Sequence, residues 1–251
     1  MSPPERRLRL AAGLGLGLLL VVVVAAAGIR LEIGPGVLRL IHRAAASLEV
    51  IVVLWLGWMA WRARATRPVV WRGSLVAIGL TAFLSVLGIA AGQNPPPAAA
   101  AANLLGGLAL AAAFSWLLGK SGSEPYFLQV PAAGNRALTP IFLPTPIFLP
   151  LAALMAIQLM LGARLAIVER FGAVLPVHAL LAMALAGLLG WVALARVRGT
   201  AGKTLFVLAL AAPVAGFSSL HYEYSAAAAL VHAAAAALLL ASSAYAFGRR
   251  A

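Results

Sequence analysis

Eight times along this chain an apolar run reaches the twenty or so residues that a helix needs to cross a bilayer. The predicted spans cover about 9–29, 37–61, 72–92, 98–118, 147–167, 174–195, 203–220 and 225–247. Only 10% of the 251 residues are charged, too few to coat a soluble domain of this length. The expected fold is therefore all-α: a polytopic membrane protein with eight transmembrane helices. The first run follows RRLRL and ends in three alanines, as a signal peptide would. Its apolar stretch is longer than a typical signal core, so it is expected to remain as the first span.

The segments between spans one and two, three and four, and seven and eight are short. Residues 120–146 are longer, polar and rich in Gly, Ser and Pro, which reads as a linker. It divides the chain into an N-terminal half, 1–119, and a C-terminal half, 147–251, each expected to be a four-helix bundle.

The net charge of +13 comes from short basic clusters between the spans, a pattern of topology determinants and not of a nucleic-acid surface. Alternating the spans puts 14 of the 19 Lys and Arg residues on one side and 5 (Arg30, Arg39, Arg43, Arg164 and Arg170) on the other. All six tryptophans fall near the basic side. Both termini are thus expected in the cytoplasm, with the protein in a bacterial-type inner membrane.

The two halves repeat. Trp55 lies thirteen residues after His42 and Arg62 twenty after it; Trp191 and Arg198 stand at the same offsets from His178. Gly28-Ile29-Arg30-Leu31 matches Gly162-Ala163-Arg164-Leu165. His232 leads to Tyr245, Gly248 and Arg249 at +13, +16 and +17, and the same offsets counted back from Trp116, Gly119 and Lys120 reach Asn103. Spans two, four, six and eight therefore carry His42, Asn103, His178 and His232 at equivalent outer positions.

Two imidazoles level with each other on parallel helices, with no cysteine in the chain, suit the two axial positions of a heme iron. Ala182, Ala235 and Ala236, one turn further on, keep the helix faces smooth for a macrocycle. Arg164 and Arg170 stand at the membrane edge where heme propionates would need cations. The plainer reading of each histidine alone is a hydrogen-bonded interfacial group. His221, in the HYEYS loop, has no repeat partner and reads as a solvated loop residue.

In the first half His42 faces an asparagine. That leaves two readings: an iron with one open face, able to take oxygen or substrate, or decay of an ancestral second site. Glu49 lies seven residues after His42 on the same helix face, inside the membrane. A carboxylate there is a functional candidate by default, and its structural alternative is an ion pair with Arg43 or Arg39.

Eight spans in two repeats, histidines at the outer ends of even spans, the GIRL and GARL turns and HRAAA in span two together resemble the heme A synthase family. The resemblance implies heme b held by His178 and His232. It also implies a heme o substrate in the N-terminal half near His42, Asn103 and Arg30, its methyl group oxidised to a formyl for cytochrome oxidase. Implied partners are the lipid bilayer, an unspecified electron donor, and either a second copy of the chain or cytochrome oxidase assembly factors. Two departures matter. Arg39 stands where the family commonly has a glutamate, and Asn103 replaces a histidine. His42 and Glu49 are the catalytic candidates. The rivals are a non-catalytic b-type cytochrome or heme-handling protein of the same descent, and a transporter built from repeats, for which Pro213 is the one clear mid-span breaker.

Overall fold

Prolines open several of the helices, because proline fixes the first helical φ and gives up an N–H that would have no partner there. A computed structural model describes residues 3–92, 95–121, 148–167, 173–197, 199–221 and 225–250. They form α1 (Pro3–Arg30), α2 (Pro35–Arg62), α3 (Pro68–Ala91), α4 (Pro97–Ser121), α5 (Phe148–Ile167), α6 (Val174–Arg196), α7 (Gly199–His221) and α8 (Ala226–Arg250). All eight are long and apolar enough to span a membrane. The protein is an all-helical, eight-span membrane protein.

The helices outrun the apolar runs that predicted them. Pro68 starts α3 before the apolar run does, Gly199 adopts a φ of 72° at the head of α7, and α4 continues through Lys120 to Ser121. Polar and basic residues continue a helix beyond the hydrocarbon as readily as apolar ones. Most of the expected linker, 122–146, lies outside the described residues, as do Arg170 and the side chain of His221.

In the N-terminal half α1 packs on α2, α2 on α3, α3 on α4 and α4 back on α1, closing a ring. Phe114, Leu19, Leu56, Leu110 and Leu117 fill it. In the C-terminal half α5, α6, α7 and α8 pack in series around Leu151, Leu189, Val192 and Ala209. α4 packs against both α5 and α8, so it backs the fourth side of that bundle. The α4–α8 contact is the main seam between the halves. A Cβ on Gly248 would meet the Trp116 carbonyl oxygen at 2.5 Å, so glycine is what lets these two backbones approach.

Both termini lie at one end of the bundle. Arg9 Nη2 donates to the Tyr245 hydroxyl at 3.4 Å, joining the start of α1 to the end of α8. Arg67, in the α2–α3 turn, pairs with Glu5 at the same end. Arg64 sits over Trp61, Lys120 over Trp116 and Arg196 over Trp191, with the cations 4.8–5.9 Å from the ring centres. Aromatic rings capped by cations suit the boundary between lipid and water.

Candidate functional site

The histidine-bearing helices are even-numbered, and each is braced by the odd helix before it. His42, His178 and His232 all lie in the second turn of their helices, at the end of the bundle opposite the termini. Each is half-buried and reaches back to a residue twenty positions earlier. His42 Nδ1 bonds the Val22 carbonyl at 3.1 Å, and His232 Nδ1 bonds the Ala212 carbonyl at 2.9 Å. A carbonyl only accepts, so Nδ1 carries the proton in both rings and Nε2 keeps its lone pair. A hydrogen bond at one nitrogen that frees the other is the usual preparation of a metal-ligating imidazole.

His178 is braced differently. Its upstream partner is a side chain, Gln158, whose Nε2 lies 3.1 Å from the His178 carbonyl and 3.3 Å from His178 Nε2. The carbonyl fixes the amide with its nitrogen inward, so the amide donates to His178 Nε2. His178 Nδ1 and Gln158 Oε1 are then buried without a hydrogen-bond partner.

Glycines make room for both rings of the C-terminal half. A Cβ on Gly162 would stand 3.1 Å from His178 Cε1, and one on Gly216 would stand 3.0 Å from His232 Cε1. Each glycine is sixteen residues ahead of its histidine. In the first half that offset falls on Ala26, and Gly28 of the GIRL turn packs against Leu38 instead. The two Gly-x-Arg-Leu turns therefore match in sequence but serve different contacts.

The imidazoles of His178 and His232 lie in a T-shaped, edge arrangement, with ring centres 6.4 Å apart and planes at 87°. A metal between two imidazoles, bound at about 2 Å to each, sets the ring centres roughly 6 Å apart. No group of three or more His, Cys, Asp or Glu side chains able to hold a metal ion occurs among the described residues. Two protein ligands alone do not complete a bare metal's coordination, but they complete that of an iron whose other four ligands come from a tetrapyrrole. The residues present fit a bis-histidine heme, with one adjustment: ligation through His178 Nε2 requires the Gln158 amide to yield that lone pair. No family model matches the chain, and no curated protein matches it either.

The other candidates are dispersed. Arg164 is exposed near the end of α5, and Arg30 is exposed as the last residue of α1, both at the histidine end. Asn103 is half-buried in the second turn of α4 and makes no side-chain hydrogen bond among the described residues. Glu49 is only 4% exposed, on the α2 face it shares with Ala45, Val53 and Leu56. Its Oε1 bonds nothing, and it joins no salt bridge among the described residues, so the ion pair with Arg39 or Arg43 that was the structural alternative does not form. Arg39 and Arg43 are on the exposed side of the helix.

Gln158, Ala212, Gly216 and Val22 were not singled out from the sequence. Their signal was present as constant offsets of sixteen and twenty residues before the histidines. It goes unseen when the repeat is traced only forward, from each histidine to its tryptophan and arginine.

Proposed function

We propose that this protein is a membrane heme protein of the heme A synthase type, with heme b held between His178 and His232 in the C-terminal bundle. The observation that supports it most is the 6.4 Å separation of two braced imidazoles. Once bound, the heme supplies one-electron chemistry at its iron. The chain supplies the rest. Ala212 and Gly216 set the tautomer and height of the His232 ring, and Gly162 does the same for the height of His178. Leu181, Leu188 and Leu239 pack against the apolar core of that bundle. Arg164, exposed near the end of α5, would supply positive charge for heme propionates, and Arg170 is the sequence's other candidate for that role.

In the N-terminal bundle the substrate is heme o, whose methyl group is oxidised to a formyl. His42 offers a free Nε2 lone pair there, Asn103 an uncharged amide, Arg30 a cation at the rim, and Glu49 a carboxylate able to hold a proton. The membrane is a bacterial-type inner membrane with both termini in the cytoplasm, an orientation that the charge asymmetry supports. Partners are the heme o substrate, the bilayer, and a second copy of the chain or cytochrome oxidase assembly factors.

A second reading, a non-catalytic b-type cytochrome, is favoured by one observation: Asn103 occupies the span-four position where the other three repeat units have histidine. Reduced-minus-oxidised spectra of the purified protein test the heme site. A six-coordinate low-spin b-type spectrum that His232→Ala abolishes is expected, and an unchanged spectrum in that variant overturns the assignment. Heme extraction after co-expression with a heme o source separates the readings, because newly formed heme A marks the enzyme and heme b alone marks the cytochrome.

A further inference from the structure

At the end of the bundle that carries the termini, a groove of about 590 Å³ opens between the halves, bordered by α3, α4 and α8. α3 and α8 each pack on α4, so α4 is the floor of the groove and the other two are its banks. Glycines bring the three helices close here. A Cβ on Gly73 would stand 2.6 Å from Trp116 Cζ3, and Gly248 lies against the Trp116 backbone. Ala112, Ala113 and Ala244 offer only methyl groups to the space between Val76 on one bank and Phe247 on the other.

Arg72 is the one charged side chain among the described residues that line the groove. It is exposed in the second turn of α3, and it forms no hydrogen bond or ion pair among the described residues. Neighbouring cations are occupied: Arg67 pairs with Glu5, Arg9 bonds Tyr245 and Arg64 sits over Trp61. The α2–α3 turn beside the groove adds Arg62, Arg64 and Arg67, so this end of the bundle attracts anions.

We propose that the groove holds one anionic phospholipid, its phosphate on the Arg72 guanidinium and one acyl chain lying along α4 between α3 and α8. The chemistry selects the occupant. The guanidinium fork matches the oxygens of a phosphate, and a basic pocket between membrane helices suits an anionic headgroup. Val76 lies one turn past Arg72, about 6 Å further along α3 toward the middle of the membrane. Cation and apolar trough therefore follow in the order in which a lipid presents its headgroup and chain. An acyl chain asks for no hydrogen bond, and the walls beyond Arg72 are aliphatic and aromatic. A free phosphate would leave that trough unfilled.

The banks belong to different halves, α3 to the N-terminal bundle and α8 to the C-terminal one. The lipid thus lies across the seam and ties the two bundles together. Nothing in this proposal rests on the heme site.

Native mass spectrometry of the detergent-purified full chain, titrated with phosphatidylglycerol and separately with phosphatidylcholine, tests it. We expect one phosphatidylglycerol to be retained at least tenfold more tightly than phosphatidylcholine. Arg72→Gln should weaken that binding by roughly fivefold or more, the worth of about one interfacial cation. Arg62→Gln removes an exposed cation outside the groove and should leave it unchanged. Ala113→Leu fills the trough and should expel the chain with Arg72 still present; if that variant does not fold, Arg72→Gln carries the test. Phosphatidylglycerol should also raise the melting temperature of the wild type and not that of Arg72→Gln. Equal retention of the two lipids, full binding in Arg72→Gln, an equal loss in Arg62→Gln or no rise in the wild-type melting temperature would each overturn the proposal. So would a dimer that Ala113→Leu dissociates, because a second copy of the chain would then occupy the groove.

Discussion

The His232 imidazole donates its Nδ1 proton to the Ala212 carbonyl, 2.9 Å away and twenty residues earlier, and His42 does the same toward Val22 at 3.1 Å. The same bond at the same offset in both halves shows that the repeat preserves a support for the histidine and not merely its position. Gly216 completes that support, lying under the ring at the one point where a side chain would lift it.

Gly216→Val therefore displaces the His232 ring. Overpacking at such a contact costs about 1–3 kcal/mol, or roughly five- to 150-fold in the population of the correctly placed ring. Heme occupancy, read as the ratio of Soret to protein absorbance, should fall accordingly while detergent gel filtration still shows a folded monodisperse protein. Full occupancy in that variant would mean that the ring's height does not matter.

Gln158 engages the His178 Nε2 lone pair that the proposed heme iron would take. Replacing it by leucine removes the competing donor and leaves a residue of similar length in the bundle. Gln158→Leu should load heme at least as fully as the wild type, measured by titrating apoprotein with hemin. Loss of binding would instead make the amide part of the site.

Asn103 stands where three of the four repeat units have a histidine. Asn103→His offers a second imidazole on α4 while His42 Nε2 stays free on α2. Pyridine hemochrome analysis should then rise from about one heme per chain toward about two, with added low-spin character. An unchanged stoichiometry would show that the N-terminal bundle has lost its tetrapyrrole cavity.

Glu49 is a buried carboxylate with no partner among the described residues, an arrangement that membrane proteins seldom keep without use. Glu49→Gln preserves shape and removes the acid. Heme A formation should drop about a hundredfold, the usual worth of a positioned proton carrier. The heme b spectrum and the melting temperature should hold. Unimpaired heme A formation would remove Glu49 from the catalytic proposal.

The eight spans and the level placement of the histidines were legible in the sequence, for a simple reason. Hydrocarbon admits only helices of a fixed length, so composition and spacing determine where each residue sits along the membrane normal. Position around the helix axis, and across the bundle, is a matter of which helices pack together. Only the tertiary structure decided that α5 braces α6 through Gln158 while α7 braces α8 through a backbone carbonyl. It alone turned Glu49 inward, away from Arg39 and Arg43, and brought Ser115 to the seam between the halves. Depth is set by each span's own transfer energy, which a single segment already carries. Azimuth is set by contacts between segments far apart in the chain, which no one segment records.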